Sequence, residues 1–242
     1  MNELYREYYD EVLCQSKSQR LDQASLDRVC RKYHWNYKRF FRDVPARAAI
    51  LDLGCGAGQF LYYLGRRGFE NLMGVELSAA TADLARTTQP NADIRHIEDT
   101  AAFLQAHEDR FDVIVLNDVL EHVPVQRLVP MTRDLHAALK PGGLLILKTI
   151  NAAYPLGYFA RYQDLTHTTC FHEKALKQLL RHCGFTDCRC FQEEIGVYHP
   201  LFAAKKTAVL LVRFFLKLLI YFSEADWPGI ISVNLIASAR KP

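Results

Sequence analysis

Residues 49 to 60, Ala-Ile-Leu-Asp-Leu-Gly-Cys-Gly-Ala-Gly-Gln-Phe, constrain this 242-residue chain more than any other stretch. Ile50, Leu51 and Leu53 read as a short buried strand. Gly54, Gly56 and Gly58 follow at a spacing of two, the composition a chain needs when it turns sharply beside a ligand. Gln59 to Leu64 then begin a helix whose first N–H groups have no partner within the helix and point back at the turn. A strand, a glycine turn and a helix in this order predict a parallel α/β fold with a ligand at the turn.

Glu76 ends the next apolar run, Leu72 to Val75, where a carboxylate can accept hydrogen bonds from both hydroxyls of a ribose. The glycines run G-x-G-x-G behind Asp52, and Gly-Val-Glu-Leu-Ser follows at 74 to 78. The first stretch resembles motif I, D-x-G-x-G-x-G, of the class I, Rossmann-like methyltransferases that use S-adenosylmethionine (SAM) and release S-adenosylhomocysteine (SAH). The second resembles the motif after it. Phe111 to Val123 resembles the pattern F-D-x-V-x-x-x-x-V-L-E-H-V, and Lys140-Pro-Gly-Gly143 before an apolar strand is another mark of the family. The resemblance, to members such as the ubiquinone-pathway and surface-glycan or sugar O-methyltransferases, covers roughly residues 45 to 192.

It implies SAM as cofactor. Asp52, Gly54, Cys55, Gly56, Gly58, Gln59 and Phe60 are expected to hold its methionine end, Glu76 and Leu77 its ribose, Glu98 or Asp99 its adenine amine, and Asn117 and Val119 its adenosine. Tyr33 and Tyr37 read either as contacts to the methionine end or as helix-packing aromatics.

Strands and helices alternate through residue 149, which predicts a doubly wound, mostly parallel seven-stranded sheet with an N-terminal helical cap over 1–44 and a methyltransferase domain over 45–242. Residues 1 to 24, with Tyr5, Tyr8 and Tyr9, read as a leading helix or lid. Ser25 is a predicted N-cap of a helix carrying Leu26, Val29, Tyr33, Tyr37, Phe40 and Phe41. A short strand is expected over 94–99, a helix over 130–139, and a final strand pair at 185–191 and 231–240, split by a helical insertion at about 195–229.

Methyl transfer from a sulfonium is an in-line displacement, and a hydroxyl acceptor needs a base. His167 with Asp164 is one candidate pair, and His122 beside Glu121 is the other. The span from 151 to 171 reads as a loop on the acceptor side, with Tyr154, Tyr158, Tyr162 and, just beyond it, His172, joined by Tyr198 and His199 before the insertion. Asp164-Leu-Thr-His167 with Phe171 resembles a D-x-T-H-x-x-x-F pattern of sugar and secondary-metabolite methyltransferases. The expected reaction is therefore O-methylation of a sugar or glycan-linked hydroxyl. The competing readings are an apolar quinone or lipid-like acceptor at a membrane surface, and a SAM-binding protein without transfer.

A net charge of +3 without a basic run excludes nucleic acid as the expected partner. The polar, acidic start lacks a secretory pattern and the seven cysteines are odd in number, so a cytoplasmic protein is expected, with its acceptor presented near the inner face of the membrane. His182 with Cys183, Cys188 and Cys190 lacks a second ligand pair, and no metal site is expected. Residues 201 to 222 are apolar, broken by Lys205, Lys206, Arg213 and Lys217, the last three within about 40° on a helix. Such a helix caps the acceptor pocket, forms a homodimer interface, or lies on an anionic membrane with its basic stripe toward the headgroups.

Overall fold

The computed structural model describes residues 22–154, 157–197, 200–223 and 229–242. The elements in chain order are α1 (Gln23–Tyr37), β1 (Ile50–Leu53), α2 (Gln59–Arg66), β2 (Leu72–Glu76), α3 (Ala79–Thr88), β3 (Asp93–His96) and α4 (Thr100–Gln105). There follow β4 (Phe111–Asn117), a 3-10 turn (Leu120–His122), α5 (Val125–Ala138) and β5 (Leu139–Ile150). The chain closes with α6 (Gly157–Tyr162), α7 (Glu173–His182), β6 (Thr186–Gln192), α8 (Pro200–Phe222) and β7 (Asn234–Arg240).

The seven strands form one sheet in the order β3-β2-β1-β4-β5-β7-β6. Strands β1 to β5 pair in parallel, and β7 runs antiparallel between β5 and β6. The doubly wound, mostly parallel sheet read from the alternation is therefore present, with helical segments before β1 and before β7. Strand β4 shows why a parallel strand is a continuous apolar run: Ile114 and Leu116 enter the core on one face, and Val113 and Val115 the core on the other. Strand order reverses between β1 and β4, the point where open α/β sheets leave a crevice at their carboxyl ends.

Several boundaries differ from expectation. Asp22, rather than Ser25, caps α1, its side chain accepting from Ser25 N, and the helix stops at Tyr37. Strand β3 stops at His96, so Glu98 and Asp99 lie beyond it. Helix α5 starts at Val125 behind Pro124, five residues before the expected start, and Pro130 lies inside it. The span after β5 contains the short helix α6 instead of an unbroken loop. The segment after β6 is stitched to α1: Asn36 accepts from Glu194 N at 2.8 Å and donates to Glu194 O at 3.1 Å, and Lys32 pairs with Glu193 at 3.0 Å. Residues 1 to 21, with Tyr5, Tyr8 and Tyr9, lie outside the described residues.

Candidate active site

Asp52 near the end of β1, Glu76 closing β2 and Asn117 closing β4 come together at the crevice. The turn between β1 and α2 fits beside them through its glycines. Gly54 has φ +74°, and a Cβ there would stand 2.6 Å from Val119 Cγ2. Gly56 donates its N–H to Glu76 Oε2 at 2.9 Å, while Glu76 Oε1 accepts from Leu77 N at 2.8 Å. Gly58 does not line the crevice; a Cβ there would lie 3.1 Å from the backbone of Ala85, so it serves the close packing of α2 on α3.

Two adjoining cavities share Gly54, Glu76 and Val119 and make one trough. The smaller, about 160 Å³, is lined by Asp52, Cys55, Gly56, Gln59, Phe60 and Asn117, with Tyr33 and Asp118 at its side. The larger, about 380 Å³, is lined by Leu77, Glu98, Asp99, Met131 and His122 among others. Asp99 already accepts from Ala101 N at 2.8 Å as the cap of α4, and both it and Glu98 line the cavity.

The trough holds two buried polar atoms with no protein partner, Asp52 Oδ1 and Asn117 Nδ2. An unpaired buried carboxylate is costly, and burial, with Glu76 nearby, pushes the Asp52 carboxyl up to about 8. A group bringing a cation to Asp52 and an acceptor to Asn117 satisfies both. The methionine end of SAM carries an ammonium and oxygen acceptors, so these residues fit it. Tyr37 donates its hydroxyl to Asn117 Oδ1, fixing the amide so that Nδ2 is left for a ligand. Tyr33 packs edge-on against Phe60, with ring centroids 4.9 Å apart, as the packing role has it, and it also lines the trough.

His122 stands in the wall of the trough. Thr166 Oγ1 donates its single hydrogen to Asp164 Oδ1 at 2.6 Å and so accepts from His122 Nδ1 at 2.8 Å. That leaves the lone pair of the neutral imidazole on Nε2. Burial, with His167 adjacent, brings His122 down to about 4, so it is neutral at physiological pH. His167 lies beside it with ring centroids 4.6 Å apart and donates Nδ1–H to Ala160 O at 2.9 Å.

The expected pairs are thus rearranged. Asp164 lies 3.9 Å from His167 Nε2 but makes its short hydrogen bonds to Thr166, whose backbone N donates at 2.8 Å. Glu121 does not orient His122: its carboxylate accepts from Thr149 at 2.9 Å, and burial next to Asp118 pushes it up to about 8. Ligand atoms of His122, Asp164 and His167 lie within 4.8 Å of one another, close enough to share a cation.

The acceptor residues separate. Tyr154 lines a further cavity of about 990 Å³ between α1 and α8. Tyr158 and Tyr162 stack on each other with 71% of each exposed and line neither trough nor groove. His172 is the cap of α7, accepting from Lys174 N at 3.1 Å, and is likewise outside both. Tyr198 and His199 lie outside the described residues. The sequence reading missed Lys148, which is buried and pairs with Asp118 at 2.6 Å. Burial works against its charge, but the carboxylate of Asp118 prevails and holds it well above the ordinary lysine range. Asp118 itself has φ +57°, the only signal for it being a polar residue just past a buried strand.

A family model described as a methyltransferase domain matches residues 21–189. A ubiquinone biosynthesis O-methyltransferase of Actinobacillus pleuropneumoniae is 33% identical over 62% of this chain and 68% of its own length. One from Hydrogenovibrio crunogenus is 31% identical over 53% of this chain and 56% of its own length. The chain therefore spans between about half and two thirds of these relatives. A SAM-dependent methyltransferase structure from Archaeoglobus fulgidus superposes with a TM-score of 0.67 at 16% identity, covering 96% of this chain and all of that one. Another, from Mesorhizobium loti, gives 0.58 at 21% identity over 89% of this chain.

Proposed function

This chain belongs to the methyltransferase-domain family and is a SAM-dependent methyltransferase, and we propose that it methylates a hydroxyl on an apolar, quinol-like aromatic acceptor. The observation that carries the hydroxyl is the chain of hydrogen bonds from Asp164 through Thr166 to His122 at the trough wall. SAM held by Asp52, Glu76 and Asn117 would supply an electrophilic methyl group and leave as SAH, and His122 Nε2 would take the proton that the acceptor hydroxyl gives up. Asp164, acting through Thr166, offsets the charge that forms on the imidazole, and His167 positions the ring from its other side.

One feature supports an apolar acceptor over the sugar expected from the D-x-T-H span: the curated relatives named above are, by name, O-methyltransferases of ubiquinone biosynthesis. Incubating the full chain with methyl-labelled SAM and fractionated cell envelope tests the reading. Label is expected in the organic-solvent extract and to be lost with His122→Ala. Label confined to polysaccharide would restore the sugar acceptor, and no label despite SAH binding would leave a binding protein.

A further inference from the structure

Helix α8 turns three of its four cations inward. Lys206 lies 3.7 Å from Glu194 and 5.4 Å from the Trp35 ring centroid, Arg213 donates to Glu193 O at 3.1 Å, and Lys217 donates to Gly229 O at 2.9 Å. This reverses the orientation expected for a basic stripe directed at headgroups. The stripe fastens the helix to the domain, and the opposite side faces outward with Leu201, Leu211, Phe215, Leu219 and Phe222, each more than half exposed. At 100° per residue these side chains and Ala204, Ala208 and Leu218 share one face that carries no charge.

A continuous uncharged apolar face of this kind on an exposed helix suits a contact surface. A second copy is poorly suited to it: a helix of 23 residues is about 34 Å long, and a strip about 10 Å wide offers on the order of 350 Å², against roughly 800 Å² per partner in a stable interface. Charge also argues against self-association. The groove along the flank of the helix carries Arg28, Arg31, Lys32, Lys205 and Arg213 against Glu193 and Glu194, and the two carboxylates are engaged by Lys32 and Lys206. No helix among the described residues is long and apolar enough to cross a bilayer.

We propose that the outward face of α8 lies in the surface of an anionic lipid bilayer, with Arg28 and Lys205 at its flank meeting the headgroups. This surface is separate from the donor trough, so it stands or falls independently of the acceptor assigned above. It also sets the groove that holds Tyr154 beside the membrane.

The test is flotation of the full chain with vesicles of phosphatidylcholine alone or mixed equally with phosphatidylglycerol. Wild type is expected to float with the mixed vesicles and less with the neutral ones. Phe215→Asp with Leu219→Asp is expected to lower partitioning at least about tenfold. Arg28→Glu with Lys205→Glu is expected to lower it about fivefold per cation on mixed vesicles only. Both variants keep the wild-type thermal shift with SAH, which shows that they fold. Absence of wild-type flotation at low salt, or flotation of the aspartate variant equal to wild type, overturns the proposal. So does a wild-type dimer that the aspartate variant converts to monomer with no vesicle binding in either.

Discussion

His122→Ala is expected to lower kcat by about 10²–10⁴-fold, the range for loss of a positioned general base, while changing SAH affinity far less. The chemistry also predicts how the pH profile moves. His122 is neutral above about 4, so turnover on the wild-type enzyme holds as pH falls through the ordinary histidine range and drops near 4, where the imidazole takes up a proton. The adjacent His167 disfavours that proton, so His167→Ala moves the acid limb upward. Asp164→Asn removes a negative neighbour and moves it downward. A purely structural role for either residue would change the rate without moving the limb. The folded state must be followed alongside, because a histidine held neutral in the fold favours unfolding as pH falls from about 6.5 toward 4. Full turnover in excess chelator is expected. Its loss, restored by one divalent cation, would make His122, Asp164 and His167 metal ligands instead.

Asp52→Asn has the second large effect, and on the donor side alone. Losing the charge that meets the SAM ammonium in a buried site is expected to cost about 3 kcal/mol, or roughly a hundredfold in SAH affinity. Because Asp52 is protonated below about 8 without ligand, binding of an ammonium there ionises it and expels a proton. Calorimetry at pH 7 in two buffers of different ionisation enthalpy should show close to one proton released by wild type and none from this site in the variant. Stability without ligand moves in the opposite sense. The folded carboxyl is raised above its unfolded value, so its contribution is fully present below about 4 and is lost as pH rises through about 8. Asp52→Asn should flatten that slope and leave the unliganded protein at least as stable above pH 8. A variant with unchanged SAH affinity and proton release would remove Asp52 from the donor site.

The donor side was legible in the sequence because its residues sit at fixed distances from strand ends. Asp52 lies near, and Glu76 and Asn117 at, the end of a buried apolar run, and the parallel registers Asp52 with Gly74 and Asp52 with Val115 bring those ends together. The proton-accepting group was legible only as parts. His122 and the Asp164–His167 motif were both visible, but 44 positions separate His122 from Thr166, and only the packed loop shows that the threonine bonds the histidine. Lys148 was hidden inside an apolar run because its partner, Asp118, lies on another strand end. For helix α8 only the reading with its basic stripe toward headgroups was overturned, for a related reason. Cations on an isolated amphipathic helix face water or headgroups, whereas here Glu194, Glu193 O and Gly229 O draw them inward and leave the apolar side outside.

The central claim, that this fold delivers the SAM methyl group to an aromatic hydroxyl with His122 as base, is tested most directly by following turnover of carbon-13 methyl-labelled SAM with a simple catechol by nuclear magnetic resonance. The account predicts an aryl methyl ether formed one-for-one with SAH by wild type and its suppression in His122→Ala. An N-methyl product from a mixed pool of amines and hydroxyls, or tight SAH binding with no methyl ether formed on any phenol, would contradict it.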